Sequence, residues 1–150
     1  MGTALERKAK ELLNSVKLRR TNPRVAILGV LLAVDKPLTQ DQISTKLGRV
    51  APDKVTIYRT LESFVGAGLV HRAFLQERIW HFELADDCTE QQCHPHFTCT
   101  SCGDTHCFTG VAMPMARSPE KGFVIGHQRV QLEGLCPKCN PNTEATSWSD

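Results

Sequence analysis

Two Cys-x-x-Cys pairs constrain the fold of this 150-residue chain more than any other feature. They are Cys99-Thr-Ser-Cys102 and Cys136-Pro-Lys-Cys139. Zinc prefers four thiolate or imidazole ligands in a tetrahedron, and each pair forms a turn that lets two thiolates converge on one ion. Residues 103–135 separate the pairs, which is more than in a compact zinc ribbon. We therefore expect one structural zinc ion to hold together two separate parts of a small domain.

A redox-active disulfide is the alternative role for these cysteines. No strand-to-helix context of the thioredoxin type surrounds either pair, which argues against it. The N-terminal residues are charged rather than apolar, and no apolar run approaches the ~20 residues of a membrane span. We expect a cytoplasmic protein that is not bound to a membrane, and disulfides are rare in that compartment.

Charge divides the chain into two unlike halves. Residues 1–84 contain 14 Lys and Arg against 8 Asp and Glu, whereas residues 85–150 contain 4 against 8. The net charges are therefore +6 and −4, although the whole chain carries only +2. The N-terminal half is the part that we expect to meet a polyanion.

Hydrophobic spacing and capping residues predict four helices in the basic half. The first covers residues 4–16, and the second begins with Asn22 as N-cap and Pro23 as first helical residue. The third begins at the capping box Thr39-x-x-Gln42 and ends at Gly48. The fourth opens at residues 52–53 and ends at residues 66–68, and its apolar residues Ile57, Leu61, Phe64 and Val65 share one side. A hairpin of residues 70–74 and 78–84 follows, and helices followed by a hairpin are typical of a winged helix.

A polar stretch, residues 85–92, separates this region from a second segment rich in strand-forming residues. The expected strands cover residues 97–111 and 123–135, with residues 113–121 between them. The fold class is therefore α+β, with a winged helix-turn-helix domain at 1–84, a hinge at 85–92, a zinc-stapled, strand-rich domain at 93–140 and a disordered tail at 141–150.

A second cluster of potential metal ligands remains after the four cysteines are assigned. Its members are His71, His81, Glu83, Cys88, Cys93, His94, His96 and Cys107. His94 and His96 share one face if they lie on a strand. A site that combines these two with residues of the hairpin and the polar connection would fix the relative orientation of the two domains.

Several motifs together resemble the ferric-uptake-regulator family, and within it the zinc-uptake regulators, over residues 5–140. The motifs are Val55-Thr-Ile-Tyr-Arg-Thr-Leu61, Gly68-Leu-Val-His71, His94-Pro-His-Phe-Thr-Cys99-Thr-Ser-Cys102-Gly103 and Gly134-Leu-Cys136-Pro-Lys-Cys139. The resemblance implies an N-terminal winged helix and a C-terminal α/β dimerisation domain. It also implies a metal-responsive repressor that binds double-stranded operator DNA as a homodimer and controls metal-uptake genes.

The resemblance also assigns residues to DNA and to a regulatory metal. Tyr58 and Arg59 would contact DNA in the major groove, and further candidates for phosphate or base contacts are Lys54, Thr56, Arg20 and Arg24. The regulatory ligands would be His71, Glu83, His94 and His96, with Cys88 as an alternative because zinc sensors place a cysteine near the end of the hairpin.

The chain departs from the family pattern at three places. Four or five extra residues precede His94, so Glu83, Cys88 and Cys93 compete for one coordination position. Pro114 replaces a glutamate of another family metal site, which argues against a site at His127. Residues 113–121 are poor helix formers where the family has a helix, so we expect that helix to be short or distorted.

The choice of sensed metal depends on the ligands. A thiolate ligand favours zinc, whereas Glu83 in that position favours iron or manganese and with them an iron or peroxide sensor. A zinc metalloenzyme using His94, His96 and Glu83 is a rival of another class, but no motif supplies an acid or base beside an open coordination position. A zinc-dependent protein-binding module is the third rival, and the basic half argues against it. We expect no catalytic residues.

Overall fold

A computed structural model describes residues 2–85, 92, 94–108, 110–111, 113–117 and 120–142. The chain divides into two compact units, Met1–Cys88 and Thr89–Asp150. The first unit contains α1 (Thr3–Ser15), α2 (Asn22–Ala33), β1 (Leu38–Thr39), α3 (Gln40–Leu47), a 3₁₀ turn (Gly48–Val50), α4 (Lys54–Gly66), β2 (Val70–Gln76) and β3 (Ile79–Leu84). The second contains β4 (His96–Cys99), β5 (Thr105–Cys107) and β6 (Gln131–Gly134). The expected α+β class is confirmed.

One apolar core holds the helices of the first unit together. Its fully buried members include Leu13 of α1, Ile27 and Leu28 of α2, Ile43 of α3, and Ile57, Leu61 and Phe64 of α4. The buried face of α4 is the one predicted from hydrophobic spacing, except that Thr60 is buried with it and Val65 only partly so. This packing fixes which face of α4 points outward.

Capping residues set the ends of α3 and α4 as expected. The Thr39 hydroxyl accepts the N–H of Gln42 at 3.1 Å, and the Gln42 side chain accepts the N–H of Thr39 at 2.9 Å. Gly48 follows α3 with a φ of +59°, a left-handed conformation that favours glycine. At α4, the carboxylate of Asp53 accepts the N–H of Thr56 at 2.7 Å, and this bond lowers the pKa of Asp53.

The predicted N-cap of α2 is wrong by one residue. The N-cap is Thr21, and Asn22 is already helical. The first turn closes through the N–H of Val25, which bonds to the carbonyl of Thr21 at 3.0 Å. Pro23 fits the first turn in either case, because N–H groups in the first turn have no partner within the helix and proline has none to lose. It therefore does not determine where α2 begins.

The first unit ends in a three-stranded antiparallel sheet with the order β1-β3-β2. The predicted hairpin is confirmed, but β2 ends two residues later than expected and β3 begins one residue later, so a two-residue turn at Glu77 and Arg78 joins them. Both turn residues have positive φ, 49° and 66°, which matches the twist of a tight hairpin. Arg72 of β2 forms an ion pair with Glu62 of α4, and its guanidinium lies 5.8 Å from the ring centroid of Trp80. The hairpin is thereby attached to α4.

The second unit contains a small mixed sheet with the order β5-β4-β6. Strand β4 is antiparallel to β5 and parallel to β6. The short or distorted helix expected within residues 113–121 is not seen in the described residues of this segment, because residues 113–117 and 120–121 are irregular. Pro114 lacks an N–H, and the Gln128 side chain instead accepts the N–H of Ala116 at 2.7 Å and donates to the Pro114 carbonyl at 3.0 Å. No helix in the described part of the chain is long and apolar enough to cross a membrane.

Replacing Thr39 with alanine removes half of the capping box. We expect Thr39→Ala to lower the free energy of unfolding by about 1 kcal/mol, the usual value of such a cap. Urea unfolding of the full chain, followed by helical circular dichroism, measures the change. Thr45→Ala is the control, because Thr45 is exposed in the same helix and caps nothing. Equal losses in the two variants would contradict a capping role.

Candidate metal centres and nucleic-acid interface

Each Cys-x-x-Cys pair forms a tight turn immediately after a strand. The first turn follows β4, where the N–H of Gly103 bonds to the carbonyl of Cys99 at 2.9 Å and Gly103 adopts a φ of +75°. The second lies two residues after Gly134, the end of β6, and there the N–H of Cys139 bonds to the carbonyl of Cys136 at 3.0 Å. Both turns therefore direct two sulfurs away from a strand end.

The pairing of β4 with β6 brings the two turns together. The strands are parallel, and Cys99 lies opposite Gly134 in the register. The N–H of Thr100 bonds to the carbonyl of Gly134 at 2.8 Å, which extends the pairing into the first turn. Because parallel strands end at the same edge of a sheet, the four cysteines meet there although 33 residues separate the pairs.

The sulfur positions fit one tetrahedral zinc ion. The four Sγ atoms all lie within 4.8 Å of one another, and those of Cys102 and Cys136 are 3.7 Å apart. A tetrahedron with zinc–sulfur bonds of about 2.3 Å separates its sulfurs by about 3.8 Å. No disulfide joins the cysteines that the structure describes, and these four sulfurs are grouped closely enough to hold one metal ion.

Backbone amides prepare this cluster for a cation. The N–H groups of Cys102 and Cys136 point to the sulfur of Cys99 and lower its pKa to about 6. The N–H of Asp104 lowers the pKa of Cys102, but the adjoining sulfur of Cys99 and burial outweigh it and raise the value to about 12. The pKa of Cys139 is also raised. A hydrogen bond with Ser101 lowers this pKa, but the neighbouring Cys136 thiol and burial together raise it by more. One thiolate forms readily, and a divalent cation bound here would stabilise the others as thiolates.

A second group of ligands lies on the other part of the same sheet. His96 of β4 faces Cys107 of β5 as a direct cross-strand pair, and the rings of His94 and His96 have centroids 4.7 Å apart. Ligand atoms of His94, His96 and Cys107 all lie within 4.8 Å of one another. Cys107 is absent from the predicted regulatory set. The sequence shows only that Cys107 follows a turn. The strand register is needed to show that its partner on β4 is His96.

The two predicted ligands of the hairpin contact each other in the first unit. His71 and Glu83 are cross-strand partners on β2 and β3, and the Nε2 of His71 lies 2.7 Å from the Oε1 of Glu83. Glu83 is buried, and a carboxylate that is buried usually has a charged or metal partner. The remaining predicted ligand, Cys88, and its alternative Cys93 lie outside the described residues.

His81 and His127 have surroundings that differ from those of the grouped ligands. The His81 ring is buried and stacks on Phe74 at a centroid distance of 4.4 Å. This burial lowers the pKa of His81 and favours the neutral ring. His127 is exposed. Neither histidine belongs to a described group of three or more potential ligands.

The residues predicted to bind DNA are concentrated on the outward face of α4. Lys54, Tyr58 and Arg59 are exposed there, with 52% of Tyr58 accessible, while Thr56 is half-buried. The Nζ of Lys54 lies 3.9 Å from a carboxylate oxygen of Asp41 at the surface. Because the opposite face of α4 belongs to the core, these side chains are held on a rigid element.

The other two predicted DNA contacts lie before or at the start of α2. Arg20 is exposed in the connection between α1 and α2. Arg24 is half-buried, and its guanidinium donates to the carbonyl of Arg19 at 3.2 Å. These arginines are therefore near one another in sequence but on different elements from Tyr58 and Arg59.

Comparison with known proteins identifies the family. The model of the ferric uptake regulator family matches residues 15–132. The transcriptional regulator FurA of Mycobacterium tuberculosis is 31% identical over 140 residues, covering 87% of this chain and 88% of that protein. A ferric uptake regulator from Pseudomonas aeruginosa with manganese is 26% identical, with a TM-score of 0.58 over 85% of this chain and 97% of the other.

A zinc uptake regulator complexed with zinc and DNA shares the fold. Its TM-score is 0.63 at 23% identity, covering 97% of this chain and 100% of the other. Together with the family match over residues 15–132, these relatives decide the class of protein. The chain belongs to the ferric uptake regulator family and is a metal-responsive transcriptional regulator rather than an enzyme.

Proposed function

We propose that the protein is a zinc-responsive repressor that binds operator DNA as a homodimer and controls genes of metal uptake. The observation that carries the choice of zinc is the grouping of His94, His96 and Cys107. A thiolate with two imidazoles suits zinc better than ferrous iron or manganese, which accept oxygen-rich ligand sets more readily. This function places the protein in the cytoplasm, in the same compartment as the operator DNA that it would bind.

A structural zinc ion on Cys99, Cys102, Cys136 and Cys139 is the first part of the proposal. Its support is the close fit between the sulfur separations and a zinc tetrahedron, together with the amides around Cys99. A metal bound by four protein ligands has no open position for a substrate, so this ion stabilises the fold.

The regulatory zinc ion would take ligands from both units. His94, His96 and Cys107 supply three from the second unit, and Glu83, His71 or Cys88 would supply the rest from the first. A ligand set of this kind makes zinc affinity depend on how the units are arranged. Zinc then favours the arrangement that matches operator half-sites, and a coupling of about 1–3 kcal/mol changes DNA affinity 5–150-fold.

The His71–Glu83 pair suits a role around this metal. Histidines that bind metals commonly donate their other ring N–H to a carboxylate, which fixes the ring and raises its basicity. The 2.7 Å contact supports that role for Glu83 toward His71. In this arrangement Cys107 contributes the thiolate that the resemblance had suggested for Cys88.

Operator binding would use the outward face of α4 as the recognition helix of a winged helix. Tyr58 and Arg59 would reach base edges, while Lys54, Thr56, Arg20 and Arg24 would contact phosphates or bases. The exposure of Lys54, Tyr58 and Arg59 and the +6 charge of residues 1–84 support this assignment.

A second copy of the chain would cover the apolar surface of the second unit. Phe123 and Val124 are 66% and 93% exposed, and Ile125 and Leu132 are each 37% exposed. Apolar side chains of this size are rarely exposed together on a monomer. Two units paired over this surface would present two copies of α4 to a two-fold symmetric operator.

An iron or peroxide sensor is the second candidate function. The buried carboxylate of Glu83 is the feature that favours it, since a hard oxygen ligand suits ferrous iron. The curated relatives also include proteins named ferric uptake regulation protein. Operator binding driven by ferrous iron and not by zinc would establish this alternative.

Removing one cysteine of the tetrad tests the structural ion. We expect Cys136→Ser to lose one zinc per chain and to unfold the second unit, because metal binding at such a site contributes directly to folding. Metal analysis after mild chelation, with circular dichroism, measures both changes. Cys107→Ser serves as the matched control and keeps this zinc. A Cys136→Ser protein that folds and binds operator without the metal would contradict the proposal.

Replacing Cys107 tests the regulatory ligand. We expect Cys107→Ser to raise the zinc concentration needed for half-maximal operator binding by at least about tenfold, since even residues behind the direct ligands change metal affinity by that factor. The assay uses duplexes enriched from a random library by the zinc-loaded protein. Glu83→Ala and Cys88→Ser are measured beside it. If Cys107→Ser keeps the zinc sensitivity of wild type and Cys88→Ser loses it, the thiolate ligand is Cys88.

Two substitutions on α4 separate base reading from phosphate contact. We expect Arg59→Ala to cost about 1–3 kcal/mol of binding and to relax the preference at one base pair, whereas Lys54→Ala weakens all sequences equally and lowers the salt slope by about 1. Titrations at several salt concentrations on enriched and scrambled duplexes measure both effects. Uniform weakening by Arg59→Ala would show that this side chain binds phosphate instead.

A further inference from the structure

The outward face of α4 carries an apolar residue, Val55, that neither packs in the core nor belongs to the proposed DNA contacts. Val55, the second residue of the helix, is 58% exposed. It lies three residues before Tyr58 and four before Arg59, so the three side chains share one face. Valine is a weaker helix former than alanine, and an exposed valine gains nothing from core packing to offset this. Its place beside Tyr58 and Arg59, rather than its exposure alone, makes Val55 available for a contact outside the unit.

We propose that Val55 recognises a thymine of the operator through the C5-methyl group in the major groove. This inference rests on the proposed DNA-binding function. The thymine methyl is the apolar group that distinguishes this base at its major-groove edge, and apolar side chains are what contact it. The N-terminal residues of a recognition helix are those that reach base edges, which is where Val55 lies.

The spacing along α4 indicates which base pairs are involved. Three residues of helix rise by about 4.5 Å, and successive base pairs of DNA are about 3.4 Å apart. Val55 and Tyr58 therefore face neighbouring base pairs rather than the same one. We call the position of this thymine in the aligned operator sequences the thymine column. It should lie one or two base pairs from the position that Arg59 reads.

Charges around Val55 favour DNA over a protein partner. Lys54 is 81% exposed beside it, and the exposed Arg59 follows one turn later. A helix that docks in an apolar groove repeats apolar residues at i, i+3, i+4 and i+7. Here position i+4 is Arg59 and position i+7 is Glu62, which is paired with Arg72. The apolar patch is too small for such a groove and matches a single methyl group.

A methyl-deletion experiment tests the contact on the full chain loaded with zinc. Duplexes are first enriched from a random library by the wild-type protein, and each thymine of the enriched site is then replaced singly by deoxyuridine. Wild type should lose affinity about fourfold at one thymine column per half-site, the equivalent of one buried methyl group. Val55→Ala should bind the thymine and deoxyuridine duplexes equally at that column, while its losses at every other thymine match those of wild type.

Val50→Ala is the matched control, because Val50 is 74% exposed but lies in the 3₁₀ turn before α4. It should show the wild-type fourfold loss at the Val55 column. The same thymine preference in wild type and Val55→Ala, or its disappearance in Val50→Ala, overturns the assignment. Failure of wild type to enrich any duplex overturns the proposed DNA-binding function together with this inference. Thermal unfolding of Val55→Ala at the wild-type temperature excludes a folding defect.

Discussion

The convergence of four sulfurs at one edge of a small sheet is the constraint on which the second unit depends. Its strands are only three or four residues long, and few of its described side chains are fully buried. A core of that size does not supply enough apolar burial to stabilise a fold. With the zinc ion that we propose, the tetrad would replace the missing core with a cross-link between the ends of β4 and β6.

The same cross-link has a second effect, because β4 carries both kinds of ligand. Cys99 ends the strand and His96 begins it, and Cys107 is fixed opposite His96 by the antiparallel pairing with β5. Holding the end of β4 therefore also holds the imidazole and thiolate that we assign to sensing. The first unit solves the equivalent problem with an apolar core, which fixes the outward face of α4 through Ile57 and Leu61. In our proposal metal binding orders one unit, whereas apolar packing orders the other.

Local sequence signals predicted local structure well. The Thr39–Gln42 capping box and the apolar face of α4 depend on residues within a few positions of one another, and both were found as expected. Errors arose where competing interactions decided the outcome. The helix expected near Pro114 was replaced by hydrogen bonds from Gln128, a partner that helix propensity does not reveal. Spacing likewise identified the tetrad, but the neighbour of His96 depends on strand register, so Cys107 was recognised as a potential ligand and yet not assigned to the regulatory site.

The register of β5 has a consequence for how such regulators diverge. Successive residues of a strand alternate between its two faces, so a slip of one residue exchanges the set on each face. His106 precedes Cys107 and currently lies opposite Phe97. Inserting one residue before β5, with the turn itself unchanged, would bring the His106 imidazole opposite His96 in place of the thiol, whereas deleting one would bring Phe108 there. Loop length alone could then convert a soft donor set into a harder one, and metal preference could change during evolution without substitution of any ligand.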